Sequence, residues 1–150
     1  MKKFFLVAFL FATTAVMAQI SNPYVNGGVS IQNNTVSYNG ELGINSVSNR
    51  FAATVQSATL SPDNVWSLGG KYYRSISVKA QTINPYVFVG ASFALTKDHP
   101  ITFEPGLAAT WNINKRFAPQ ATLSFPIQQN SVLRSRPLGI AAGLSVNYTL

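Results

Sequence analysis

The chain has 150 residues, no cysteine, one histidine, eleven Lys and Arg against four Asp and Glu, and a formal charge of +7. The missing cysteines exclude a disulfide-stapled secreted scaffold, and four scattered acids with a single histidine exclude an ordinary metal site. Charged residues make up only 10% of the chain, too few and too dispersed to form a nucleic-acid-binding patch.

Residues 1–18 read as a secretory signal peptide. Lys2 and Lys3 precede an apolar run from Phe4 to Phe11, and Val16-Met17-Ala18 supplies small residues at the cleavage site. The run is too short to span a bilayer, which takes about 20 apolar residues. Cleavage after Ala18 leaves 19–150 as one domain and lowers the formal charge from +7 to +5. No later apolar stretch is long enough for a transmembrane helix.

From there on the pattern repeats every two residues. The spacing predicts strands over 23–32, 35–46, 50–60, 65–76, 84–95, 101–113, 117–128 and 138–150, with 71–83 the least regular segment. Turn-forming residues separate them: Asn33-Asn34, Ser61-Pro62-Asp63-Asn64, Lys97-Asp98-His99-Pro100 and Asn114-Lys115-Arg116. The last segment alternates most strictly. Leu138, Ile140, Ala142, Leu144, Val146, Tyr148 and Leu150 form an apolar face, while small or polar residues occupy the other. Asn22-Pro23-Tyr24-Val25 recurs as Asn84-Pro85-Tyr86-Val87, and Arg50-Phe51-Ala52 as Arg116-Phe117-Ala118. Two four-strand halves explain this; chance similarity between strands of one composition is the alternative.

The second face distinguishes a membrane barrel from a soluble sandwich. It is made of Gly, Ala, Ser, Thr, Asn and Gln, which fit inside a narrow barrel, whereas a water-exposed face is usually rich in charge. Tyr24, Phe51, Tyr86, Phe117 and Tyr148 gather near one strand end, and Trp66, Phe93 and Phe103 near the other, as interfacial aromatic belts do. Tyr24 and Tyr86 nevertheless fall on the inward phase. Against the barrel stand Pro105, Pro119 and Pro126, which lack a ladder donor and call for rim bulges. Arg74 falls on the outward phase of the fourth strand, which implies either snorkelling to an interface or a different register there.

These patterns make the chain similar to the small outer-membrane barrels of the OmpA/OmpX type, and Ala18-Gln19 resembles the processing site of exported Bacteroidetes proteins. The expected fold is an all-β, eight-stranded antiparallel up-and-down transmembrane barrel. The resemblance implies a bacterial outer-membrane location, with outer-membrane lipid and lipopolysaccharide as surroundings. It also implies that barrel-assembly machinery reads the closing strand through Leu144, Val146, Tyr148 and Leu150, although Leu ends this chain where Phe or Trp is usual.

No catalytic, cofactor-binding or metal residues emerge. His99 lies in a link, and Gly27-Gly28 and Gly69-Gly70 lie within strands, without the context of a phosphate loop. Glu41, Lys71 and Glu104 take the inward phase and are expected to pair in the lumen, with Arg50 as a further candidate; charges at wet barrel mouths are the other reading. Lys97, Arg134 and Arg136 lie in far-end links, where they either contact lipid phosphates or are simply solvated. The expected role is non-enzymatic, structural or adhesive, in the envelope. A narrow channel and a secreted soluble sandwich or lipocalin-like binder are the alternatives. The sequence does not set the oligomeric state.

Overall fold

The structure, a computed structural model, describes residues 22–46, 48–59, 64–76, 82–96, 100–129, 135–137 and 139–150. Residues 1–21, with the expected signal peptide, and Lys97, His99 and Arg134 lie outside these residues. Six long strands come first: β1 (Asn22–Gln32), β2 (Thr35–Asn45), β3 (Asn49–Thr59), β4 (Asn64–Ser75), β5 (Ile83–Ala94) and β6 (Ile101–Trp111). They begin and end within two residues of the period-two segments. β7 (Phe117–Ser124) and β8 (Ile127–Gln129) form the seventh stave, β9 (Ser135–Pro137) and β10 (Ala141–Thr149) the eighth.

Every neighbouring pair is antiparallel, and β10 returns to β1, so the sheet closes into an eight-staved barrel. Its stagger can be read rung by rung. Asn22 aligns with Asn45, then Arg50, Tyr73, Phe88, Gly106, Ser124 and Ala141, and the path re-enters β1 at Gln32. The trace therefore closes with a shear of ten residues. With the usual rise and strand spacing, eight staves and this shear tilt the strands by about 40° and make an eleven-residue strand about 27 Å tall.

The seventh stave corrects one expectation. Pro105 and Pro119 cause no bulge. The Phe125 N–H donates to the Pro105 carbonyl (2.9 Å), and only the reciprocal bond is lost to the proline. Register is unchanged across the break, since Gly106 aligns with Ser124 and Phe103 with Ile127. Pro119 aligns with Val146, one step beyond the last β6–β7 rung at Thr110 and Gln120, so its missing donor falls where that ladder ends. Pro126 turns inward and is buried.

The bulge sits instead on the eighth stave, expected to run unbroken over 138–150. Two residues separate β7 from β8 while three separate β9 from β10, and Gly139 takes a φ of +91°. One extra residue with a left-handed glycine is how a strand acquires a local kink. The β1–β2 hairpin turns on Asn33 and Asn34, with φ of 47° and 65°, a two-residue turn of the kind whose twist suits a hairpin.

Side chains sort by phase. Val29, Ile31, Leu42, Leu68, Val89, Leu107 and Leu144 are exposed on the outer face, whereas Tyr24, Asn26, Glu41, Arg50, Lys71, Tyr73, Thr110 and Gln120 are buried inside. Phe51 packs on Tyr72 and Phe117 on Tyr148, both at ring separations of 5.0 Å, around the end that holds Asn22 and Leu150, the terminus end. Arg74, on the rung between Asn49 and Val87, is exposed at that same end. The repeated motifs lie on β1 and β5 and on β3 and β7, staves that face each other across the barrel.

Candidate functional site

The lumen is organised around rungs in which a glycine faces a large side chain. Tyr24 aligns with Gly43, and a Cβ there would come within 2.7 Å of its ring; Phe88 aligns with Gly106, where a Cβ would lie 2.5 Å from its ring. Ala52, Lys71, Gly90 and Glu104 share a third rung. With no side chain at Gly90, the Lys71 stem crosses its own neighbour and reaches the stave beyond.

The three inward charges selected from the sequence are brought together. Lys71 Nζ lies 3.1 Å from Glu104 Oε2 and 3.7 Å from Glu41 Oε1. Glu41 also accepts from the Tyr73 hydroxyl at 2.7 Å and from Asn26 Nδ2 at 3.2 Å. Glu104 accepts from Ser124 Oγ at 2.8 Å. Lys71 Nζ stands 5.1 Å from the centre of the Phe88 ring. Each carboxylate thus has a neutral donor besides the ammonium, the condition under which a buried pair is tolerable.

Arg50 does not join them. Its guanidinium lies 4.3 Å from the centre of the Tyr86 ring and 5.6 Å from that of Tyr24, two tyrosines from the repeated motif on opposite staves. Its NH1 donates to Gln120 Oε1 at 3.1 Å, and Thr110 Oγ1 and Asn147 Nδ2 donate to the same oxygen at 3.2 and 3.0 Å.

Two cavities flank this packed middle. One, of about 310 Å³, lies towards the β1–β2 turn and is lined by uncharged polar residues such as Ser30, Gln56, Ser67 and Thr102, with Glu104 beside them. The other, of about 190 Å³, lies at the terminus end and is lined by Arg50, Tyr86, Asn147, Lys115 and Arg116 among others. Glu41, Lys71, Tyr73 and Phe88 line neither, so they form the partition.

Of the other selected residues, Leu144, Val146 and Leu150 are exposed on the outer face, at 67%, 46% and 67%. Tyr148 shares their phase and is half-buried against Phe117. Arg136 belongs to β9, aligned with Gln128; Lys97 and Arg134 fall outside the described residues. Sequence reasoning passed over Asn26, Tyr73, Thr110, Gln120, Ser124 and Asn147. Their inward phase was visible, but which of them meet a charge depends on the shear.

No family model and no curated protein sequence matches the chain. The fold superposes on the N-terminal β-barrel domain of OprF from Pseudomonas aeruginosa with a TM-score of 0.68 at 12% identity, covering 87% of this chain and 98% of that one. A barrel from the de novo design of transmembrane β-barrels gives a TM-score of 0.60 at 17% identity, covering 87% and 96%. The solution NMR structure of the de novo designed TMB2.3 gives 0.60 at 14% identity, covering 87% and 94%. At these identities the likeness is one of fold: the chain is similar to natural and designed closed β-barrels.

Proposed function

We propose that the protein is a non-enzymatic outer-membrane β-barrel with a structural role in the bacterial envelope, its lumen plugged by its own side chains. The carrying observation is the inverted distribution of polarity. Apolar side chains such as Ile31, Tyr38, Leu107 and Leu144 are more than half exposed around the outside, while Glu41, Arg50 and Lys71 are more than nine-tenths buried within. Soluble monomers rarely expose a contiguous apolar patch beyond a few hundred Å². A lipid annulus matches such a surface, and the aromatic pairs at the terminus end suit an interfacial girdle. A lipocalin-like binder needs the opposite arrangement, with an apolar cavity.

Asn22 and Leu150 lie at one rim, which we assign to the periplasm, with the closing strand through Leu144, Val146, Tyr148 and Leu150 presented to the assembly machinery. The far-end cations Lys97, Arg134 and Arg136 are then on the lipopolysaccharide side and suited to bidentate or point-charge contact with its phosphates. Equal lipid A binding by wild type and the Arg134→Ala, Arg136→Ala double variant removes that contact.

The localisation test is fractionation of expressing cells, with a heat-modifiability gel on the membrane fraction. Retention in carbonate-washed outer membrane and a heat-dependent mobility shift are expected. Recovery in the soluble periplasm overturns the reading. The partition through Glu41, Lys71, Tyr73 and Phe88 leads us to expect no steady single-channel conductance in planar bilayers, which separates this role from a narrow channel.

A further inference from the structure

Arg50 is only 8% exposed. Among the described residues it makes no ion pair, and its side chain donates only to the neutral Gln120. Both lumen acids are engaged by Lys71. The other two acids of the chain, Asp63 and Asp98, fall in the sequence between β3 and β4 and between β5 and β6, outside the described residues. The terminus-end cavity bordered by Arg50 gains further positive charge from Lys115 and Arg116 in the β6–β7 turn. A buried guanidinium without a counter-charge is strongly unfavourable, and the faces of Tyr24 and Tyr86 offset only part of that.

The amides beside it narrow the class of ligand. Arginine can only donate, so Gln120 must present its oxygen to Arg50. Asn147, which shares that oxygen, must then present its nitrogen, and does so to Gln120 Oε1 and to the Ala118 carbonyl. The Asn147 oxygen is left buried without a donor, as is that of Asn45, and both residues line the cavity. A complementary ligand carries anionic oxygens for the cations and an O–H for the amide oxygens. Hydrogen phosphate has both; sulfate, fully ionised, has no hydrogen to give.

We propose that this end of the lumen is a binding site for a small soluble hydrogen-phosphate-type oxyanion, held by Arg50 and Asn147 inside with Lys115 and Arg116 at the opening. The cavity, about 190 Å³, has room for roughly six water volumes, enough for the ion and part of its hydration shell. Its walls are inward-phase residues and a turn, so the ligand arrives from water and not from the lipid face. The site does not depend on the envelope role proposed above.

The test is titration of the folded full chain in maltoside micelles with inorganic phosphate at constant ionic strength, read by NMR at the Arg50 Nε–H and Asn147 Nδ2 signals. Saturable shifts with phosphate are expected, with sulfate weaker by about fivefold or more, the loss of one hydrogen bond. The Lys115→Ser, Arg116→Ser variant alters only an exposed turn and should bind about tenfold more weakly; Arg50→Gln should lose saturation. Nanodiscs containing anionic phosphodiester lipid should not displace the phosphate. A non-saturating response, equal shifts with sulfate, unchanged affinity in the turn variant, or displacement by the lipid overturns the proposal. If Arg50→Gln does not fold, the turn variant and the sulfate arm decide.

Discussion

Lys71 Nζ reaches Glu104 Oε2 at 3.1 Å by crossing Gly90, which lies on the strand between them. A Cβ at position 90 would lie 3.0 Å from the Lys71 stem and 3.6 Å from Glu104 Cβ. Gly90→Ala should therefore be tolerated, because the lysine stem can shift by a few tenths of an ångström. Gly90→Val should not, since a branched side chain occupies the crossing itself. Overpacking of this kind destabilises by about 1–3 kcal/mol. Urea unfolding midpoints of the two variants check this, and equal midpoints would show that the crossing is loosely packed.

The two carboxylates of the network should differ in importance. The Glu41 side chain is 4% exposed and accepts from Tyr73 and Asn26 besides Lys71, while that of Glu104 is 19% exposed and borders the larger cavity. Glu41→Ala leaves two neutral donors and part of the ammonium without an acceptor in a closed space, a loss of about 3–5 kcal/mol. In Glu104→Ala, water from the cavity can take over the abandoned partners, and the loss should be smaller. Heat-shifted gel mobility and unfolding midpoints measure both. A Glu41→Ala midpoint equal to wild type removes the plug from the stability of the barrel.

These two residues also show what was legible in the sequence. Phase is a local property, so the inward placement of Glu41, Lys71, Glu104 and Arg50 followed from counting alternate positions. Level is a global one. Which inward residues meet depends on a shear accumulated over eight pairings, and no local pattern encodes it. The shear puts Arg50 beside Tyr24 and Tyr86 and keeps it from Glu41. The same distinction explains the eighth stave. Alternation from Leu138 onward suggested an unbroken strand, yet a positive φ at Gly139 inserts a bulge that parity cannot register. The prolines misled for the opposite reason. A missing donor suggests a bulge, although at Pro105 the partner Phe125 still donates to the proline carbonyl and the register is kept.

Gly139 and Gly106 should respond to alanine by different mechanisms. At Gly139 the backbone itself is left-handed, and an added Cβ also meets Asn33 Oδ1 at 2.8 Å. At Gly106 the backbone is ordinary, but the Cβ would meet the Phe88 ring at 2.5 Å and the Leu123 carbonyl at 2.6 Å. Gly106→Ala should be rescued in part by Phe88→Leu, which withdraws the ring, with coupling of about 0.5–3 kcal/mol in a double-mutant cycle. Gly139→Ala should show no such rescue. Additivity at Gly106 and Phe88 would mean that the strand, not the ring, absorbs the clash.

Depth along the closing strand distinguishes lipid from water around the outer face. Leu144 is 67% exposed on the outer face, with Val29 and Ala121 as its neighbours on β1 and β7, and lies well inside the span of β10. Leu150 is equally exposed but sits at the rim, just past β10, where its N–H donates to the Pro23 carbonyl at 3.0 Å. In water the two positions are equivalent, and lysine at either should be harmless. In a bilayer they are not: Leu144→Lys puts a charge near mid-membrane, a loss of about 2–4 kcal/mol, while Leu150→Lys reaches the interface for about 0–1 kcal/mol. Unfolding of both variants in lipid vesicles measures the difference. Because both substitutions keep the fold's inward face intact, a depth-dependent penalty reports the surroundings of the outer face and not damage to the core. Equal, small effects at the two positions would place this face in water.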